Sequence, residues 1–237
     1  MDGCITKPVS QRLNETIGFS PTVDIQRRPT QIERLKNITN LAAGSQHVLA
    51  IDLKCNMYSW GCGHEGQLGS RVPLGETEEG VKRALLPRAV ANLPVNGAKA
   101  DNVACGPRTS FALDEKGRLY AWGINSMSQL GIKESKQRGG GSQGHIIRMP
   151  RLVKALEGHR VKAVAGGRYH SLACTDEGEL FTWGLHGDGA VGPRGSSLDN
   201  QDDIVLDGKG NPYIVTSPIQ VPGEHPPFSF WPRAKDF

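Results

Sequence analysis

One spacing rule is written into this chain three times. Sixteen residues separate Gly44 from Trp60, Gly106 from Trp122 and Gly167 from Trp183, and nine more lead on to Gly69, Gly131 and Gly192. Successive tryptophans stand 62 and 61 residues apart. Fixed spacing inside a unit of constant period marks a repeat architecture, in which each unit buries its apolar faces only against its neighbours. Repeat cores therefore span residues 42–69, 104–131 and 165–192, inside a folded region expected over 16–222. Residues 1–15 and 223–237 fit no part of the unit and are expected to be irregular.

Within each copy the pattern is that of strands. Val48-Leu49-Ala50-Ile51, Ser110-Phe111-Ala112-Leu113 and Ser171-Leu172-Ala173-Cys174 are short apolar runs that each reach a polar turn. A second run then ends on the tryptophan, as in Leu119-Tyr120-Ala121-Trp122. Two such runs joined by a tight turn form a β-hairpin. Gly117 and Gly178 supply the positive φ that this turn wants, whereas Cys55 holds the place in the first copy, so that turn is expected to be strained or of another type. Hairpins at a regular period, rich in glycine and aromatics, predict an all-β fold of radially arranged sheets, a β-propeller. The tryptophans are expected to sit between blades, and the glycine after each to let backbones pass closely.

The phrase A-x-G-x-x-H…D-x-x-G-x-x-Y-x-W-G-x-x-x-x-G-Q-L-G resembles the repeat of the regulator of chromosome condensation family. The resemblance implies a propeller of seven blades in that family, whose founding members exchange guanine nucleotide on the small GTPase Ran. Two further stretches are similar to that Ran-specific branch. One runs from Trp60 through Gly69 to Pro73 and the RALLPR segment at 83–88. The other is DDIVLDGKGNP at 202–212 with Thr216-Ser217-Pro218, which resembles an insertion of fungal versions. At about 61 residues per unit, 237 residues hold only three complete units. The expectation is thus an incomplete propeller of about three to four blades, each a four-stranded antiparallel sheet. The repeat breaks off mid-unit at both ends, which suggests a fragment, a truncated or a spliced form.

Charge and cysteine usage set mild bounds. A net charge of +4 is too weak to argue for nucleic acid by itself. Five cysteines without a C-x-x-C pair suit reduced thiols in the nucleus or cytosol, and no apolar stretch has signal-peptide or membrane-spanning length. The resemblance implies a nuclear protein with no cofactor and no small-molecule substrate, partnered by Ran and, in full-length members, by chromatin and histones. The segment at 92–98 (NLPVNGA), where some members carry a nucleosome-gripping basic loop, holds no arginine. The family's wedge into the nucleotide site would fall in the N-terminal region, where only 11–18 (QRLNETIG) stands near that place.

Several motifs have plain structural readings. Gly61-Cys62-Gly63-His64-Glu65-Gly66 fits G-x-G-x-x-G, but a dinucleotide site needs a helix directly after it, and none is predicted. It is expected to be a blade-closing turn. His47 and His170 recur at one repeat position and are expected to hydrogen-bond the blade corner; Thr109 in the middle copy rules out a three-histidine metal site. No catalytic set and no metal site is spelled out. Two long insertions, 75–90 and 133–154, separate the copies; the second sets Gly139-Gly140-Gly141 among Lys133, Lys136, Arg138, Arg148, Arg151 and Lys154, a mix suited to a solvated loop or to an anionic surface.

The candidate binding residues are those just before the corners: Ser45, Gln46, Arg108, Arg168 and Tyr169. Loops that recur once per blade gather at the mouth of the ring, and loops on a rigid scaffold carry binding. By the resemblance this mouth receives Ran. The Asp of the family's G-x-D-H falls on Gln46, which keeps hydrogen bonding but loses the charge that could pair with a lysine. A non-exchanging interaction scaffold is the alternative reading, since fold does not fix function.

Overall fold

A computed structural model of the chain describes residues 28–70, 86–90, 99–133, 145–186, 203–209 and 212–221. Within them lie three antiparallel sheets in sequence order. The first blade comprises β1 (Ile38–Ala43), β2 (His47–Asp52), β3 (Met57–Gly61) and β4 (Arg88–Ala89). The second comprises β5 (Ala100–Cys105), β6 (Thr109–Asp114), β7 (Leu119–Ile124) and β8 (Ile146–Leu152). The third runs β9 (Val161–Gly166), β10 (His170–Thr175), β11 (Leu180–Leu185), β13 (Pro212–Gln220), with β12 (Ile204–Leu206) added outside β13. The three repeat tryptophans occupy the same place in β3, β7 and β11. First strands β1, β5 and β9 lie against one another in turn, and the fourth strands stand apart. The blades therefore converge at one side and splay at the other, the arrangement of a propeller.

The paired strands follow from local signals. β6 and β7 are buried almost throughout, carrying Phe111, Leu113, Leu119 and Trp122, and register Ser110 opposite Trp122 and Leu113 opposite Leu119. Their turn is closed by Gly117 N–H donating to the Asp114 carbonyl at 2.8 Å, while Asp114 Oδ1 accepts from the Lys116 and Arg118 amides at 2.9 Å each. Cys55 makes the same bond to Asp52 at 2.8 Å with φ of 63°, beside 74° at Gly117 and 86° at Gly178. The first turn is thus the strained one of the two expected outcomes, a left-handed non-glycine residue costing about 1 kcal/mol.

What joins blade to blade is one device used twice. The backbone carbonyl of Gln67 accepts from Trp122 Nε1–H at 2.9 Å and from Ser110 Oγ–H at 2.7 Å. The Gln129 carbonyl accepts from Trp183 Nε1–H at 2.9 Å and Ser171 Oγ–H at 2.7 Å. Each glutamine aims its own carbonyl by folding its side chain back, Gln67 Oε1 onto the Glu65 amide and Gln129 Oε1 onto the Met127 amide. Trp122 and Trp183 have no solvent exposure, as a residue between blades requires. Around them Leu49, Phe111, Leu130, Val153, Ala173 and Val215 form one continuous core.

Three expectations are corrected. The supposed insertions at 75–90 and 133–154 end in strands β4 and β8, so part of each belongs to its blade. β8 carries Pro150 and β13 carries Pro218, residues tolerated only where the ladder has an open side; that is why neither read as a strand. The third blade has five strands, not four, because residues 204–206 pair with β13. Residues 1–15, 223–237, the glycine run at 139–141 and Gly192 lie outside the described residues.

Candidate partner-binding rim

The corner loops occupy residues 44–46, 106–108 and 167–169, between β1 and β2, β5 and β6, and β9 and β10. Each is closed by its first glycine: Gly44 N–H donates to His47 O, Gly106 to Thr109 O and Gly167 to His170 O, at 2.8, 3.0 and 2.8 Å. The last corner residue offers its carbonyl to the residue after the Trp-Gly pair. Cys62 N–H reaches Gln46 O at 2.6 Å, Ile124 reaches Arg108 O at 3.2 Å and Leu185 reaches Tyr169 O at 2.8 Å. A Cβ on Gly123 would stand 2.5 Å from Arg108 O, and one on Gly184 would stand 2.4 Å from Tyr169 O. The glycine after each of these tryptophans therefore makes room for the corner of its own blade. The expected close passage is real, and its partner is that corner.

Neighbouring corners also touch. Ser45 N–H donates to Pro107 O at 3.2 Å, and a Cβ on Gly44 would lie 2.6 Å from Gly106 O. The three corners thus form one continuous rim. All five candidate residues lie on it. Ser45 and Arg168 are exposed, and Gln46, Arg108 and Tyr169 are half-buried. The Arg168 guanidinium stands 5.0 Å from the Tyr169 ring centroid, a cation–π contact that keeps the long side chain extended over its own corner. Arg108 is tied differently: its Nη1 bonds Glu65 Oε1 at 2.6 Å. Glu65 belongs to the Gly61–Gly66 motif, which forms the blade-closing turn expected of it, with Gly66 N–H on Gly63 O and Gly69 N–H on Gly66 O. Nothing in the spacing pointed to Glu65, because its partner lies 43 residues away on the next blade.

One pair on the inner side of the rim has the outline of a catalytic dyad. His47 Nε2 and Ser110 Oγ are 2.9 Å apart. Both are fully buried, and the Ser110 proton is committed to the Gln67 carbonyl, so Oγ accepts from Nε2–H. The bond fixes Nε2 as a protonated nitrogen, and burial pushes the imidazole pKa down to about 4, offset only in part by the Thr109 backbone, so the ring is neutral near pH 7. His47 ties the first blade to the second rather than holding its corner alone. His170, the same position in the third blade, is half-buried against Gly167. Nor do the thiols suggest covalent chemistry: burial raises Cys105 to about 12 and lifts Cys174. The rim can bind, through amides, carbonyls and two arginines.

The sequence matches the regulator of chromosome condensation (RCC1) repeat over residues 56–113 and 116–174, and a second description of that repeat over 101–129 and 161–190. It is 34% identical to protein pim1 of Schizosaccharomyces pombe over 220 residues, 93% of this chain and 38% of pim1. It is 31% identical to the ultraviolet-B receptor UVR8 of Arabidopsis thaliana over 78% of this chain and 38% of UVR8. With human E3 ubiquitin-protein ligase HERC2 it shares 32% over 74% of this chain and 3% of HERC2. Its fold is similar to that of Prp20p from Saccharomyces cerevisiae, with a TM-score of 0.69 and 26% identity over 86% of this chain and 44% of Prp20p. The chain thus spans less than half the length of each of these relatives.

Proposed function

This chain belongs to the regulator of chromosome condensation repeat family, and from that premise we propose that its rim is the Ran-binding face of a guanine-nucleotide exchange factor acting in the nucleus. Support comes from pim1, similar along nearly the whole chain, and from Prp20p, a protein with binding properties towards Gsp1p and histones. The observation that carries the reading is the joined rim, where Ser45, Gln46, Arg108, Arg168 and Tyr169 share one surface. Exchange needs no covalent step. A factor that binds the nucleotide-free GTPase more tightly than the loaded one lowers nucleotide affinity by the same ratio. The rigid, mutually bonded corners suit such differential binding because little ordering is lost on contact. In full-length members of the family, chromatin and histones are further partners of this reading.

A second reading, a non-exchanging scaffold, rests on Gln46. Its neutral amide leaves the rim without the family's corner carboxylate, and HERC2 and UVR8 are relatives with other named roles. Release of fluorescent GDP from Ran separates the two. The exchange reading expects catalysed release by the chain, faster in Gln46→Asp, and slowed about tenfold in Arg168→Ala. Absence of release in both wild type and Gln46→Asp, with Ran still unbound at high protein concentration, would leave only the scaffold.

A further inference from the structure

Away from the rim, where the second and third blades splay apart, lies a cleft of about 740 Å³. One wall is the end of β8 and the short 3-10 turn Lys154–Leu156; the other is β13 with Asp203 beside it. Ile132, Leu152, Ala155 and Pro218 supply apolar lining. Three cations border it: Lys133, Arg151 and Lys154, all exposed. Among the described residues Asp203 is the one acid in the lining; it is largely buried and forms an ion pair with Lys133 that pins the added β12–β13 hairpin to the second blade. Among the described residues, Arg151 and Lys154 have no carboxylate partner. These are three of the six cations of the glycine-rich insertion, gathered by the fold into one place; Arg148 packs against Gly66 instead, and Lys136 and Arg138 lie outside the described residues.

We infer that this inter-blade cleft is a docking site for an extended acidic peptide with one apolar anchor residue. The charge of the border calls for an anion, and Lys133 and Asp203 cancel, leaving Arg151 and Lys154 to select it. The apolar lining calls for a side chain to bury, which a phosphate backbone does not offer. The volume suits a few side chains and not a duplex. β8 lends an extended wall, the shape of an extended ligand. The cleft is separate from the corner loops, so it can be filled while the rim is engaged.

Fluorescence anisotropy with a labelled peptide of one leucine flanked by glutamates tests this on the whole chain. Binding should weaken with salt and fall about tenfold or more in Arg151→Glu/Lys154→Glu. The neutral Arg151→Ser/Lys154→Ser variant should give a smaller loss in the same direction, with unfolding curves unchanged because both side chains are exposed. Replacing the leucine of the probe by serine should cost about tenfold. Equal binding of the serine probe, indifference to both double variants, or tighter binding of a duplex oligonucleotide would each overturn the inference. GDP release from Ran, measured in the same variants, should not change.

Discussion

The seam between the first and second blades and the seam between the second and third share a core and differ at their edges. In both, a glutamine carbonyl takes a tryptophan indole and a serine hydroxyl, at matching distances. At the rim the first seam adds His47 on Ser110 and Glu65 on Arg108. The second has Thr109, whose buried hydroxyl has no partner among the described residues, and it has Met127 and Tyr169 where the first has Glu65 and Arg108. It is fastened instead at its far edge, by Lys133 on Asp203. The repeat thus supplies the joint, and residues outside the consensus decide which edge is fastened. A third surface shows what the joint covers. Leu41 of β1 is 66% exposed, whereas Val103, its repeat equivalent in β5, is 6% exposed beneath the first blade.

The strongest test of the shared joint is Trp122→Ala against Trp183→Ala. Each removes a fully buried indole, and each should cost about 3–5 kcal/mol in urea unfolding. A large loss at one seam and none at the other would break the equivalence. The seams should part company in acid. The His47 imidazole is held below its ordinary 6.5, at about 4, so between those values the unfolded chain binds the extra proton. Stability is full above about pH 6.5 and drops as pH falls towards 4, by up to about 3 kcal/mol. The slope should shrink in His47→Asn, and a second acid-sensitive component should appear in Thr109→His; unchanged slopes would mean that the first seam is no more acid-labile than the second. Smallest is Glu65→Gln. The pair is partly exposed, so the loss should be about 0.5 kcal/mol or less, but Arg108 is released. If the Ran reading holds, GDP release should change in Glu65→Gln while the melting temperature barely moves.

Much of the architecture was open to a reader of residues alone. The second and third strands of every blade were legible because paired short apolar runs joined by a polar turn are a local signal. The fourth strands escaped notice for the opposite reason: Pro150 and Pro218 break the pattern, and what makes them strands is a neighbouring edge from the same blade. The corner residues could be named from their recurrence. That Arg108 is clamped while Arg168 has no carboxylate partner among the described residues could not, since the clamp joins residues 43 positions apart.

By itself the sequence determined the unit: a glycine, a tryptophan and a closing glycine at set distances, hence hairpins of fixed register and blades that need neighbours. Tertiary structure alone decided what the units present to others. Rotation from blade to blade places Glu65 beside Arg108, His47 beside Ser110, and Lys133, Arg151 and Lys154 about one cleft. The physical reason is range. Backbone pairing and turn geometry are set by residues close in the chain, whereas charge pairing and burial depend on distances in space that no spacing rule along one unit contains.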